Sequence, residues 1–258
     1  MQHITKGEFG KTMIPVPPLA EQERIVAELD LLTEIIDKQK AQLKELDTLA
    51  QSIFYDMFGD PVENERGWKV KKLNEVVADS CTISYGIVQP GDAVEDGVPI
   101  VRPVDLTGTF VNTTNLKKTT KEISESYSRT ILTGEEILVC VRGTTGTASM
   151  ASPALKGCNV TRGITPLLFG DAINKWFVYF QLQTAPIRHI IDIYTKGITL
   201  KQINMADLRN IPLIIPPLSL QQSFADKINA IEQQKAAITQ SIAETQKLFD
   251  YTMDKYFG

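Results

Sequence analysis

Apolar residues recur in alternating steps of four and three along the first part of the chain: Ile25, Leu29, Leu32, Ile36, Leu43, Leu46, Ala50, Ile53 and Met57, with Gln39 as the polar member. This is a heptad seam sustained over more than four heptads, and it predicts one long amphipathic helix. A stripe this narrow suits one or two partner helices. A helix packed on a globular domain would carry a broader apolar face.

The seam is written twice. Ile14-Pro15-Val16-Pro17-Pro18-Leu19 resembles Leu213-Ile214-Ile215-Pro216-Pro217-Leu218, at an offset of 199 that runs without a gap to the pairs Phe58-Gly59 and Phe257-Gly258. Adding the offset to the first seam gives Phe224, Ile228, Ile231, Lys235, Ile238, Ile242, Thr245, Phe249, Thr252 and Tyr256. Paired prolines block helix upstream of each copy. Ser219 followed by Gln222 predicts a capping box at the start of the second, whereas the first has Ala20 and keeps only Glu23. Gly59 and Pro61 stop the first helix. Each helix of about 38 residues would span about 57 Å, so it spaces or bridges something. Lys235, on the second seam, reads as a residue that sets register.

Between the helices the pattern changes. Short strand-like runs appear at 98–102, 136–142 and 163–169, punctuated by Pro90-Gly91, Asp96-Gly97, Thr107-Gly108, Gly143 and Gly146. An amphipathic helix is expected over 175–192, interrupted near Pro186. Strands and few helices without regular alternation predict an α+β domain around a twisted sheet.

Net charge is −4, unevenly spread. Residues 60–218 carry 17 Lys+Arg against 16 Asp+Glu, and the flanking segments 10 against 15. The middle is therefore close to neutral and able to present a local basic face. No apolar run is long enough to span a membrane, and the first residues lack the apolar stretch of a secretory signal. Cys81, Cys140 and Cys158 match no zinc spacing and predict free thiols in a cytoplasmic protein.

The motifs of catalysis are missing. There is no Glu-x-Lys, no phosphate-binding Gly-x-x-x-x-Gly-Lys and no Gly-x-Gly-x-x-Gly. Arg142-Gly143-Thr144-Thr145-Gly146-Thr147 has a loop-like composition but lacks the lysine and the glycine spacing. His3 and His189 are the two histidines, and His189 reads as a surface or packing residue. No enzyme activity, metal or cofactor is expected.

Set in order, four segments and the repeat resemble the specificity subunit of type I restriction-modification systems. Gly67-Trp68-Lys69-Val70-Lys71-Lys72-Leu73 resembles the opening of a target-recognition domain. Gly97-Val98-Pro99-Ile100-Val101-Arg102, continuing to Asp105 and Gly108, is similar to the next family segment. Gly134-Glu135-Glu136-Ile137-Leu138-Val139-Cys140-Val141-Arg142-Gly143 resembles the central turn motif. Gly197-Ile198-Thr199-Leu200-Lys201-Gln202-Ile203-Asn204, reaching Ile211-Pro212, resembles the closing segment, and Pro-Pro-Leu opens each long helix. The resemblance implies an α+β recognition domain flanked by two long helices that form an antiparallel coiled coil. It implies double-stranded DNA, a methyltransferase subunit and a restriction subunit as partners, with catalysis in the partners. On this reading residues 1–18 are the remnant of a preceding recognition domain, since Thr5-Lys6-Gly7 echoes Thr195-Lys196-Gly197. Residues 19–59 are the first helix, 60–215 the recognition domain and 216–258 the second helix. One recognition domain with two helices also suggests a homodimer. The competing readings are a coiled-coil scaffold that does not bind DNA and an inactive specificity-subunit fragment.

The resemblance names no base-reading residues, so candidates follow from side-chain chemistry near turns. They are Arg102, Lys117, Lys118 and Lys121 in a threonine-rich loop, Arg142, Thr144 and Thr145 in the glycine-flanked turn, Arg162, and Lys196. Tyr85 reads as a packing residue before a stacking one. The expected coiled-coil interface is Ile25, Leu29, Leu32, Ile36, Leu43, Leu46, Ile53, Phe224, Ile228, Ile231, Ile238, Ile242 and Phe249.

Overall fold

A computed structural model describes residues 7, 10, 16–198 and 200–257. The proposed remnant domain at 1–18, including Thr5 and Lys6, falls almost wholly outside the described residues. The chain divides into two compact units, one of 1–47 with 232–258 and one of 48–231.

The offset of 199 is reproduced by the helices themselves. α1 spans Leu19–Phe58 and the last helix, α6, spans Leu218–Phe257, 40 residues each. Their starts are built alike. In α1 the N–H groups of Glu21 and Gln22 donate to the Pro18 carbonyl, and in α6 those of Leu220 and Gln221 donate to Pro217. The side chains of Gln22 and Gln221 then reach back to the carbonyls of Pro17 and Pro216 at 2.7 and 2.8 Å. The expected Ser219 capping box is not what starts α6. Ser219 lies inside the helix, and the glutamine four positions in ties down the entering chain.

In the first unit the two helices run antiparallel. Arg24 Nη2 donates to Tyr256 Oη at 2.8 Å, Gln39 Nε2 to Ser241 Oγ at 2.7 Å, and Lys235 Nζ pairs with Asp47 Oδ1 at 2.8 Å. Numbers rise on one helix as they fall on the other, the pairing expected of two matched seams. Ile25, Leu32 and Ile36 are buried on α1, while Leu29, Leu43, Leu46, Ile238, Ile242 and Phe249 are half-buried. Lys235 sits on the seam and also bonds Glu232 at 2.7 Å. Burial opposes its charge, but the hydrogen bonds and charges of Asp47 and Glu232 outweigh that and raise its pKa above the usual lysine value.

In the second unit the α1 seam rotates. Ile53 and Met57 are half-buried, and the wholly buried positions are their neighbours Phe54 and Phe58. Phe54 stacks on Phe177 at 5.7 Å between ring centroids and meets Phe224 edge-on at 5.7 Å. Phe224, Ile228 and Ile231 of α6 are buried here as expected. The chain leaves α1 through Gly59 at φ +76°, and Trp68 Nε1 donates to the Phe58 carbonyl.

The strands form three small sheets. β1 (Lys69–Lys72) pairs antiparallel with β8 (Pro212–Ile215), so the segments that open and close the domain lie side by side, Lys69 opposite Ile215. β2 (Val98–Val101) lies between β3 (Lys117–Thr119), antiparallel, and β6 (Asn159–Val160), parallel. β4 (Ile137–Cys140) lies between β5 (Ala148–Met150) and β7 (Ile164–Leu167), both antiparallel. A core of Val101, Leu106, Leu132, Leu138, Cys140, Leu155, Val160 and Ile164 joins the last two sheets. The expected interrupted helix is two helices, α3 (Lys175–Gln183) and α4 (Ala185–Tyr194), with Pro186 in the first turn of the second. A missing N–H costs nothing there. α2 (Lys121–Ser126) and α5 (Met205–Arg209) are short. All three cysteines are free thiols, and burial pushes the pKa of Cys81 and Cys158 up.

Candidate nucleic-acid interface

The β4–β7 ladder runs past its last strand pair. Cys140 faces Ile164, and the Val141 N–H donates to the Gly163 carbonyl at 2.8 Å, while the Ile164 N–H bonds back to the Thr161 carbonyl at 2.9 Å, so Arg162 sits in the turn that enters β7. On its other side Arg142 forms an antiparallel bridge to Gln202, framed by Gly143 N–H to Lys201 O at 2.8 Å and Ile203 N–H to Val141 O at 3.1 Å. Gln202 in turn pairs with Lys196, each donating its N–H to the other's carbonyl at 2.8 Å. Three chain segments therefore bring Arg142, Gln202 and Lys196 into one cross-strand row, with the Arg162 turn beside Arg142 at the same recess. Directly opposed residues of antiparallel pairs share a face.

Arg142, Arg162 and Gln202 also line one recess of about 160 Å³, with Tyr85, Val141, Ile203, Asn204 and Met205. No carboxylate lines it. Among the described residues neither Arg142 nor Arg162 has an acidic partner, whereas Arg102 is held by Asp105 through two bonds of 3.1 and 2.8 Å. Beneath the turn lies Arg188 of α4. A side chain at Gly146 would meet its Nη1 at 2.7 Å, and that nitrogen is buried without a hydrogen-bond partner. The turn thus carries positive charge on its surface and below it.

Three of the expected residues come together here: Arg142, Arg162 and Lys196. Arg102 is close in the fold, because it follows β2, where Val101 is in parallel register with Val160, and the Thr161 N–H donates to the Val101 carbonyl. Thr144 is exposed on the turn, but Thr145 is buried, its hydroxyl 3.0 Å from that of Thr195, so it holds the turn onto α4. The threonine-rich loop is not a loop. Lys117 and Lys118 are exposed on β3 and Lys121 starts α2, outside the row, with Lys118 donating to the Glu95 carbonyl and Lys121 near Glu125. Sequence reasoning missed Gln202, because its place depends on pairing with two distant segments. It also turned Tyr85 inward, while the structure leaves it 49% exposed at the recess. His189 is exposed.

Gly86 fixes where Tyr85 sits. A Cβ there would lie 2.0 Å from the Val160 carbonyl oxygen, a backbone atom of β6 that cannot turn aside. Gly86→Ala is expected to cost about 1–3 kcal/mol through overpacking, read as a lower urea midpoint, and to displace the Tyr85 segment. An unchanged midpoint would show that the segment is not clamped.

A family model described as the type I restriction modification DNA specificity domain matches residues 65–247. The chain belongs to this family. Among curated relatives it is similar to the EcoBI specificity subunit of Escherichia coli, 23% identical over 257 residues, covering 90% of this chain and 54% of that protein. It therefore spans about half the length of that specificity subunit. The crystal structure of the HsdS subunit from Thermoanaerobacter tengcongensis matches with a TM-score of 0.53 at 24% identity, over 99% of this chain and 63% of that one. That of the type I S subunit from M. genitalium gives 0.60 at 14% identity, over 93% and 61%. These likenesses show a shared specificity-subunit fold: an α+β domain with long antiparallel helices.

Proposed function

We propose that this specificity-family chain reads a half-site in double-stranded DNA and recruits methyltransferase and restriction subunits, without catalysing either reaction itself. The observation that carries the reading is the family match across the very segments that build the Arg142–Gln202–Lys196 row and the Arg162 turn beside it. On this reading 60–215 acts as the recognition domain, 19–59 and 216–258 act as the spacer helices, and the partners are duplex DNA, the two enzyme subunits and a second copy of the chain. No helix among the described residues is long and apolar enough to cross a membrane, and we place the protein in the cytoplasm with its DNA.

The test has two parts. Duplex binding by the isolated chain should be weak and steeply dependent on salt, because a net charge of −4 opposes approach and few phosphates are neutralised. For three or four phosphates the slope of log affinity against log salt is about −3. Co-expression with a type I methyltransferase subunit from the same source should give a co-purifying complex and a defined set of methylated sites. Salt-independent binding, or no binding even with that subunit present, would favour a scaffold that does not touch DNA or an inactive fragment.

A further inference from the structure

We propose that the cross-strand row, with the Arg162 turn beside it, is the base-reading edge of the domain, with Arg142 and Arg162 set to take guanine and Gln202 to take adenine. This rests on the DNA-binding reading above and assigns the specificity within it. Three observations carry it. Arg142, Gln202 and Lys196 lie on consecutive segments of one ladder, so their side chains share a face at the strand spacing of about 4.8 Å, and Arg162 lines the same recess from the adjoining turn. Three such positions span roughly 10 Å, about three base-pair rises of 3.4 Å. An extended ribbon is also narrow enough to enter the major groove.

The second observation is the state of the guanidinium groups. Arg142 is half-buried, Arg162 is exposed, and neither has a carboxylate partner among the described residues. An arginine kept only for solubility has no reason to share a recess with a second arginine, since like charges side by side are unfavourable. An unpaired fork fits the two acceptors on the guanine edge, and the Gln202 amide fits the acceptor and donor of adenine. Tyr85 and Met205 supply the apolar wall that keeps water from competing.

The third observation is backbone anchoring. The row is held by hydrogen bonds of 2.8 to 3.1 Å between its segments, and Thr145 and Thr195 tie the turn to α4. Base reading needs such fixed positions, whereas a phosphate contact tolerates a mobile lysine. Lys196, at the end of the row, is placed to meet a phosphate beside the read bases.

The test is selection from a randomised duplex pool by the full-length chain at low salt, followed by sequencing. Wild type should enrich a short motif with guanine and adenine. Arg142→Ala, Arg162→Ala and Gln202→Ala should each relax one position by about ten-fold or more and leave the others unchanged. Lys196→Ala should weaken all sequences alike and lower the salt slope by about one. Arg142→Lys keeps the charge but loses the bidentate fork, so it should fail to restore the position, which guards against an alanine variant that does not fold. If the wild-type chain enriches nothing either alone or with the methyltransferase subunit, the DNA-binding reading itself falls. If it enriches a motif that every row variant still enriches at uniformly lower affinity, or if Arg142→Lys restores it in full, the row contacts phosphates and the present proposal is overturned.

Discussion

Phe54→Ala is expected to cost the unit of 48–231 about 3–5 kcal/mol, the loss typical of a wholly buried aromatic side chain. Phe54 is fully buried and touches three further rings: Phe58 at 5.2 Å, Phe177 at 5.7 Å and Phe224 at 5.7 Å. These come from α1, α3 and α6, so one truncation opens a cavity shared by three helices. In a cooperative unit of this size the thermal midpoint should fall on the order of 10 °C. The internal repeat supplies a matched control. At the offset of 199 Phe54 corresponds to Met253, which is 37% exposed, and Met253→Ala should change stability by about 0.5 kcal/mol or less in the isolated chain. Urea titrations of both variants decide the matter. Comparable losses would mean that the two copies are buried alike and that the packing described for Phe54 is not what sets its importance.

The same comparison shows why some features were legible and others not. Heptads and paired prolines are local signals, so the two helices could be read from residue spacing alone, and the structure returns them with identical lengths and the same offset. Pro186 likewise marks the break between α3 and α4. The rotation from Ile53 to Phe54 was not legible, because both are apolar and both continue a plausible stripe. The choice is made by Phe177 and Phe224, which are distant in sequence. Ser219 lost the role of cap for a similar reason. The chain enters α6 at Leu218, two residues earlier than the capping-box motif requires, and Gln221 takes over. At the candidate interface, residue chemistry near turns singled out Arg142, Arg162 and Lys196, which the structure brings near one another. It could not find Gln202 or tell Thr144 from Thr145, since inward and outward orientation depends on register among three segments.

The last prediction concerns symmetry: in solution the protein is expected to be a dimer of 28.7 kDa chains with a two-fold axis, and the sites it reads are expected to be inverted repeats around a fixed spacer. The argument starts from positions equivalent under the repeat. Phe54, Phe58 and Ala225 are buried in the unit of 48–231, while their counterparts Met253, Phe257 and Val26 are 37, 66 and 55% exposed. The helices thus carry two copies of an apolar footing, and one of them is uncovered. Across a two-fold axis the uncovered footing of one chain can meet that of a second copy, and closed two-fold pairs are the commonest homo-oligomers. Two identical domains related by a two-fold imply a palindromic target, with the spacer set by helix length. Adding one heptad to both helices, about 10 Å, should lengthen the spacer by about three base pairs and leave the half-sites unchanged. Val26→Glu with Phe257→Glu should give a monomer by light scattering, with the urea midpoint of the Phe54 core unaltered. A wild-type chain that scatters as a monomer at micromolar concentration would sink the two-fold arrangement. So would an asymmetric split site recovered from the chain expressed with only its methyltransferase, since that requires two unlike recognition domains.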